Sequence, residues 1–325
     1  MAALIRTMGV FGIAPTTRLL PVAAPSPLHI SRHLAAGLTA GRDGLPRLSL
    51  TTPMAEIVAA LDAYQPEAVP SNASMLALLA EEQLAGRLHI SPRIVAATSE
   101  VLTGDMRARI RAAWGIEPHD FYATTEATPL ASSCPAHDGM HLWEDLAILE
   151  IVDEHDRPVP PGVPGHRMLL TNLVNRTQPL IRYEISDSVT PAGGANPNGW
   201  PFRRIAAVEG RSDDILDLPA PGGGTVAVHP LHLRAPFAPL PDVVQYQVVH
   251  DRRGLSVWVV LRDGAVADTP QRVRSALVDE LVGAGALPPP VTVTPVTGID
   301  REAGGAAKFK IIKSELGHRR TLEAG

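Results

Sequence analysis

Cysteine is nearly absent from this 325-residue chain: Cys134 stands alone, so no disulfide can form within it, and the composition agrees with a reducing cytoplasm. An excess of basic charge is absent too. Lys and Arg number 29 against 34 Asp and Glu, a formal net charge of -5, which removes the basic face that nucleic-acid phosphates demand. Long apolar runs are missing as well: no stretch reaches the roughly 20 residues of a membrane span. Arg6 followed by Met8 to Ala14 imitates the start of a signal peptide, but Thr16, Thr17 and Arg18 cut the apolar run short. No Gly-x-x-x-x-Gly-Lys-Ser/Thr arrangement occurs, so Gly222-Gly223-Gly224 reads as a turn and not as a phosphate cradle. These absences point to a globular cytoplasmic protein with neither nucleic-acid nor membrane partners.

What is present alternates strand and helix. After the short apolar segment Ala2 to Phe11, Leu19 to Ala23 has the character of a strand and Leu28 to Leu38 of a helix. Ile57, Val58 and Leu61 recur at helical spacing over Pro53 to Ala63, and Pro66 ends that helix. A helix over Ser74 to Leu84 stops at Gly86; Ile94 to Thr98 is a buried strand; Thr103 to Trp114 is helical with Gly115 after it. The alternation predicts an α/β domain with a largely parallel sheet. Leu146 to Val152, Gly165 to Leu173 and Leu180 to Val189 then predict hairpins of a smaller β-rich subdomain, and Pro191 to Pro201 a loop. Gln245 to Val249, Leu255 to Leu261, the amphipathic helix Pro270 to Ala284 and Val291 to Val296 form a ββαβ unit, which sets a boundary near Arg211: residues 1–210 in a large domain, 211–325 in a small α+β one. No internal repeat is visible.

The chemistry concentrates in three stretches. Phe121-Tyr122-Ala123-Thr124-Thr125-Glu126 follows a strand; its hydroxyls could bind an anion while the acid holds a magnesium ion, which takes few protein carboxylates and fills its shell with phosphate and water. By composition alone it reads as a polar turn leaving a strand. Leu180-Ile181-Arg182-Tyr183-Glu184-Ile185-Ser186-Asp187 and Gly210-Arg211-Ser212-Asp213-Asp214-Ile215 follow in order. Taken singly, Asp187 could be a strand-end acid, Arg211 half of a structural salt bridge, and Asp213-Asp214 a solvated turn.

In that order, and from about Ala14 to Lys313, the chain resembles the adenylate-forming ligases, in the branch of phenylacetate–coenzyme A ligase. That family carries Tyr-Gly-Thr-Thr-Glu, Arg-Tyr-x-x-x-Asp and a Gly-Arg-x-Asp-Asp hinge ahead of a mobile lid; here Ala123 replaces the usual glycine. Glu81 to Leu88 and Ser99-Glu100-Val101-Leu102-Thr103 share the branch's phrasing. The resemblance implies ATP, Mg2+ and coenzyme A as cofactors and a small, aryl or otherwise apolar, carboxylic acid as substrate; the oligomeric state, a homodimer among the options, is left open by the sequence. It implies Tyr122 against the adenine ring and Thr125 on the α-phosphate, with Thr124 and Glu100 also at the nucleotide. Glu126 would ligate the metal, Asp187 would accept from the ribose hydroxyls, and Arg211 would reach ribose or phosphate. Asp213 would be the hinge of a lid that swings between half-reactions. Gly304 to Lys310 resembles the loop of the catalytic lysine, mapped to Lys308 with Lys310 as the alternative.

Two features depart from the pattern. The resemblance implies a Ser/Thr/Gly-rich loop that holds the β- and γ-phosphates upstream of the part represented here. The nearest candidates in the chain, Thr16-Thr17 and Ser49 to Thr52, lack the glycines. An N-terminally truncated member is the expectation, through a misplaced start, a decayed copy or a short form completed by another chain. The alternatives to a ligase are an AMP- or acyl-binding fragment without turnover, and an adenylating enzyme with a different acceptor. Cys134, His137 and His141 have spacings that zinc can use, but too few ligands stand with them, which favours a polar loop near the substrate pocket.

Overall fold

The computed structural model describes the chain apart from residues 1, 27–29, 40–43, 128, 135–138, 195, 197–198, 212–213, 302–308 and 317–325. It divides into two compact units, Met1–Glu209 with Arg301–Phe309, and Gly210–Asp300 with Lys310–Gly325. Among the described residues no helix is long and apolar enough to cross a membrane.

In the first unit the order is α1 (Ala2–Val10), β1 (Val22–Ala23), α2 (Ile30–Leu38), β2 (Leu48–Ser49), α3 (Met54–Tyr64), β3 (Ala68–Asn72), α4 (Ala73–Leu84), β4 (Ile94–Thr98), α5 (Gly104–Trp114) and β5 (His119–Tyr122). There follow β6 (Ala131–Ser133), β7 (Met140–Leu142), β8 (Ala147–Val152), β9 (Arg167–Asn172), β10 (Tyr183–Ile185), β11 (Asp187–Pro191) and β12 (Arg204–Arg211), the last crossing into the second unit. A nine-stranded sheet runs β11-β12-β7-β6-β5-β4-β3-β1-β2. The run from β2 to β5 is parallel, where each crossover is helical; β5, β6 and β7 are antiparallel and follow one another directly, and β12 pairs antiparallel with β7 after the chain has passed through β8 to β11. Parallel strands covered on both faces read as continuous apolar segments, and Ile94 to Ala97 are all buried.

Helix ends follow local chemistry. Thr103 takes an extended conformation ahead of α5, and Gly115 ends it in the left-handed conformation at φ +71°, where a Cβ would be strained. Helices α4 and α5 are joined by a buried ion cluster: Arg109 Nε lies 2.8 Å from Glu81, and its Nη2 3.7 Å from Asp105.

The sequence predicts one strand over Leu180 to Val189; the structure breaks it at Ser186. Strand β10 belongs to a separate antiparallel sheet, β10-β9-β8, whereas β11 is an edge of the large sheet. Tyr122, Leu130, Met140, Leu149, Met168 and Val189 share the core that joins those sheets, so each half of the segment answers to a different buried face.

In the second unit β13 (Leu216–Pro219) and β14 (Thr225–Val228) form a hairpin. Its turn is the Gly222–Gly224 run, with φ of +88° at Gly223 and +75° at Gly224. Then come α6 (Pro230–Arg234), β15 (Val243–Asp251), β16 (Gly254–Leu261), α7 (Thr269–Gly283), β17 (Val291–Pro295) and β18 (Ile312–Ser314). The four-stranded sheet β17-β16-β15-β18 packs Val248, Val257 and Val259 in a core with Val273, Leu277 and Leu281 of α7.

Sequence placed all of 211–325 in the second domain. In the structure the second unit begins at Gly210, and Arg301 and Phe309 are held to the first unit by contacts from remote residues that no local pattern encodes.

Candidate active site

Strand β5 delivers the first motif. Phe121 and Tyr122 are buried, and the amide of Leu130 donates to the Tyr122 carbonyl at 3.0 Å, closing residues 123–129 into a loop at the carboxyl end of the strand. Thr124 is buried, and its Oγ1 accepts from the Ala127 amide at 3.2 Å, which pins the loop. Thr125 is exposed and Glu126 half-buried. The Glu126 carbonyl accepts from Asn172 Nδ2 at 2.9 Å, and its carboxylate has no hydrogen-bond partner among the described residues. A single uncommitted carboxylate suits a hard divalent cation that draws its other ligands from phosphate and water.

The second motif meets the first directly. Asp187 opens β11, and the Tyr122 hydroxyl donates to its Oδ2 at 2.5 Å. The shared hydrogen bond orients the phenol and the carboxylate together.

Strands β4 and β5 are parallel neighbours with Thr98 opposite Phe121, so the loops after Thr98 and after Tyr122 leave the sheet side by side. Ser99 holds φ +68°, a strained value for a residue with a side chain. Glu100 follows it, and its carboxylate is occupied by protein donors: Asn72 Nδ2 at 2.9 Å, the Ser74 amide at 3.0 Å, Arg301 Nη1 at 3.2 Å and the Phe309 amide at 2.9 Å.

An apolar cavity of about 60 Å3 opens at the same strand ends, lined by Phe11, Val22, Asn72, Ala97, Thr98 and Phe121 among others. The carboxyl ends of parallel strands are where open α/β sheets bind ligands. Beneath the motif, Asp120 is pushed up to about 6 by burial, against the opposing pull of Arg107.

Arg211 is exposed, the last residue of β12 and part of the second unit. Lys310 pairs with Asp214, Nζ to Oδ1, at 2.9 Å within the second unit. Asp213 and Lys308 lie outside the described residues, as does His137. Cys134 is buried, and His141 Nε2 meets Asn196 Oδ1 at 2.9 Å; among the described residues no cluster of three metal-ligating side chains occurs. Thr17 is buried, where it caps the Ala14 amide and accepts from Arg93.

No family model matches the chain. Among curated proteins it is 31% identical over 222 residues to the phenylacetate-coenzyme A ligase of Escherichia coli K12, covering 64% of this chain and 49% of that protein. It is 35% identical over 121 residues to the Aromatoleum evansii protein of the same name, 36% of this chain and 27% of the relative. The Thermus thermophilus protein of that name matches at 28% over 201 residues, 59% and 43% of the two chains. The chain thus spans about half or less of the curated relatives it matches.

Over the matched residues the chain is similar to phenylacetate-coenzyme A ligases.

Solved structures bear on the fold of this ligase-like chain. A 2-hydroxyisobutyryl-CoA ligase in complex with an adenylate superposes with a TM-score of 0.75 at 22% identity, over 93% of this chain and 66% of that one. A benzoate CoA ligase from Burkholderia xenovorans LB400 gives 0.62 at 20% identity, over 95% and 64%. ATP-bound MatB from Rhodopseudomonas palustris gives 0.61 at 18% identity, over 94% and 61%.

Sequence reasoning had not found the cavity or the partners of Glu100. The cavity is assembled from α1, α2 and four strands. For Glu100 one signal was available, since Asn72 and Ser74 at the start of an apolar helical run mark an N-terminus in need of a cap.

Proposed function

We propose that the ligase-like chain belongs to an enzyme that activates a carboxylic acid with ATP and passes the acyl group to coenzyme A. The hydrogen bond between Tyr122 and Asp187 carries this reading, because it joins two separate motifs at the end of β5 and the start of β11. A carboxylate oxygen of the acid attacks the α-phosphorus and the bond to pyrophosphate breaks, giving an acyl-adenylate. The coenzyme A sulfur then attacks the acyl carbon, AMP leaves with the bonding electrons, and the thiol proton passes to solvent.

In this reading Tyr122 lies against adenine, Asp187 accepts from the ribose hydroxyls, and Arg211 reaches ribose or phosphate. Thr125 donates to the α-phosphate from its exposed position on a loop that the buried Thr124 fixes. Glu126 would hold Mg2+, which supplies positive charge to the phosphate oxygens. Lys308 brings an ammonium to the same oxygens, a preorganised donor worth roughly a hundredfold to a thousandfold in rate. Asp213 is the hinge between half-reactions. The apolar lining of the cavity suits the uncharged body of the acid, aryl or aliphatic.

Calorimetry with AMP and pyrophosphate exchange over a panel of apolar acids test this reading. Saturable AMP binding that Asp187→Ala abolishes supports it. Absence of adenylate binding, with the fold intact by circular dichroism, overturns it.

A further inference from the structure

We propose that Glu100 is a positioning residue, a single carboxylate that fastens both Arg301 and Phe309, the residues that flank the sequence bearing Lys308, to the first unit. Its catalytic consequence rests on the adenylation reading above; the fastening itself does not.

The carboxylate is fixed from its own side first. Its Oε2 accepts from the Ser74 amide at 3.0 Å, one of the first amides of α4, where the helix end carries partial positive charge. Asn72 has no side-chain cap bond to the helix, and gives its Nδ2 to Glu100 Oε1 instead. Since an ionised carboxylate only accepts, these donors set its orientation whether or not another segment arrives. Ser99 ahead of it keeps a left-handed φ of +68°, a strained conformation at the point where the chain turns Glu100 toward the helix.

From the other side two groups, one at each end of the 301–309 segment, converge on one atom. Arg301 Nη1 reaches Glu100 Oε1 at 3.2 Å, and the Phe309 amide reaches the same oxygen at 2.9 Å. Arg301 Nη2 adds a bond to Ser74 Oγ at 2.9 Å. The ion pair is secluded, with side chains 13% and 6% exposed, and Phe309 is 5% exposed. Screening by salt is therefore weak, and a departing guanidinium leaves a buried charge unpaired. Lys308, which lies outside the described residues, immediately precedes Phe309 in sequence. An enzyme whose lysine acts in one half-reaction and withdraws in the other needs such an attachment to be specific and breakable. Charge-assisted hydrogen bonds to one carboxylate provide both.

The test compares the full chain with Glu100→Ala and with Arg301→Gln, which leaves Glu100 to Asn72 and the helix amide. Hydrogen exchange of peptides covering 301–310 and tryptic cleavage after Lys308, a site that both variants keep, report the attachment. Both variants are expected to lose protection there and to be cut at least about tenfold faster, with exchange elsewhere unchanged. AMP affinity should hold in Arg301→Gln, while pyrophosphate exchange falls about tenfold or more and thioester formation from preformed acyl-adenylate persists. Unchanged protection in both variants overturns the proposal, and so does lost protection with the ratio of the two half-reactions unaltered. A wild-type chain that neither binds AMP nor exchanges pyrophosphate counts against the adenylation reading alone, and the fastening is then decided by the protection measurements.

Discussion

The hydroxyl of Tyr122 donates to Oδ2 of Asp187 at 2.5 Å, across 65 positions of sequence. Neither residue is special in isolation: one ends a buried strand, the other begins an edge strand. Their contact makes a bifunctional surface, an aromatic face beside a carboxylate whose orientation the phenol sets.

Removing that hydroxyl tests the surface. Tyr122→Phe keeps the ring and its packing but releases Asp187, and a hydrogen bond to a charged group contributes about 1.5–3 kcal/mol at most. AMP affinity should fall about 3- to 10-fold, with little change in the thermal midpoint, as read by calorimetry. Unchanged affinity would remove the pair from the site.

Lys308 and Lys310 should separate cleanly. Lys310 is engaged with Asp214 at 2.9 Å, so Lys310→Ala is expected to affect the stability of the second unit more than turnover. Lys308→Ala should lower pyrophosphate exchange roughly a hundredfold to a thousandfold and spare thioester formation from preformed acyl-adenylate. The reverse pattern would transfer the catalytic role to Lys310.

The ion cluster between α4 and α5 should be sensitive to loss of its cation. Arg109 is 7% exposed in its side chain and Glu81 11%, so Arg109→Met strands a buried acid. Destabilisation of about 3–5 kcal/mol is expected in urea unfolding. A change under 1 kcal/mol would show that water reaches Glu81.

Asp120 should make stability depend on pH. Burial raises its native value to about 6, above the ordinary aspartate value near 4, so between these the folded chain binds more protons than the unfolded one. Stability from this group is greatest below pH 4, declines as pH rises, and is fully lost above about 6. The side chain is 17% exposed, which places the effect at the lower end of about 2–3 kcal/mol. Asp120→Asn should flatten this slope in urea titrations from pH 4 to 7, and an unaltered slope would reject the assignment.

Gly139 should tolerate no side chain. Its φ is +74°, and an added Cβ would lie 2.3 Å from the Ile205 carbonyl oxygen, where β7 pairs with β12. Gly139→Ala should destabilise by roughly 2 kcal/mol or more, seen as a lowered thermal midpoint.

Much of the parallel half was legible locally. Ile94 to Thr98 is the strand its β-branched apolar run predicts, and Gly104–Trp114 begins after Thr103 and ends at Gly115 as its flanking residues indicate. Strands of other kinds were not legible. Ala68–Asn72 contains Pro70, Ala131–Ser133 and Met140–Leu142 are three residues each, and Arg204–Arg211 mixes charge with small residues. None shows a period long enough to outweigh its polar content, and each becomes a strand because a neighbour supplies the hydrogen bonds. The break at Ser186 belongs with them, since alternation alone does not reveal that two sheets compete for one segment.

Sequence by itself determined the chemical inventory and its order: Tyr122 to Glu126, then Asp187, then Arg211, with helices and strands alternating where apolar periodicity is strong. Tertiary structure alone decided which of these residues touch. It brought Tyr122 to Asp187, gave Glu100 to Arg301 and Phe309, and formed a cavity from α1, α2 and four strands. The reason is physical: periodicity and capping act within a few residues, whereas a hydrogen bond between distant positions exists only after sheet register and burial have fixed the backbone.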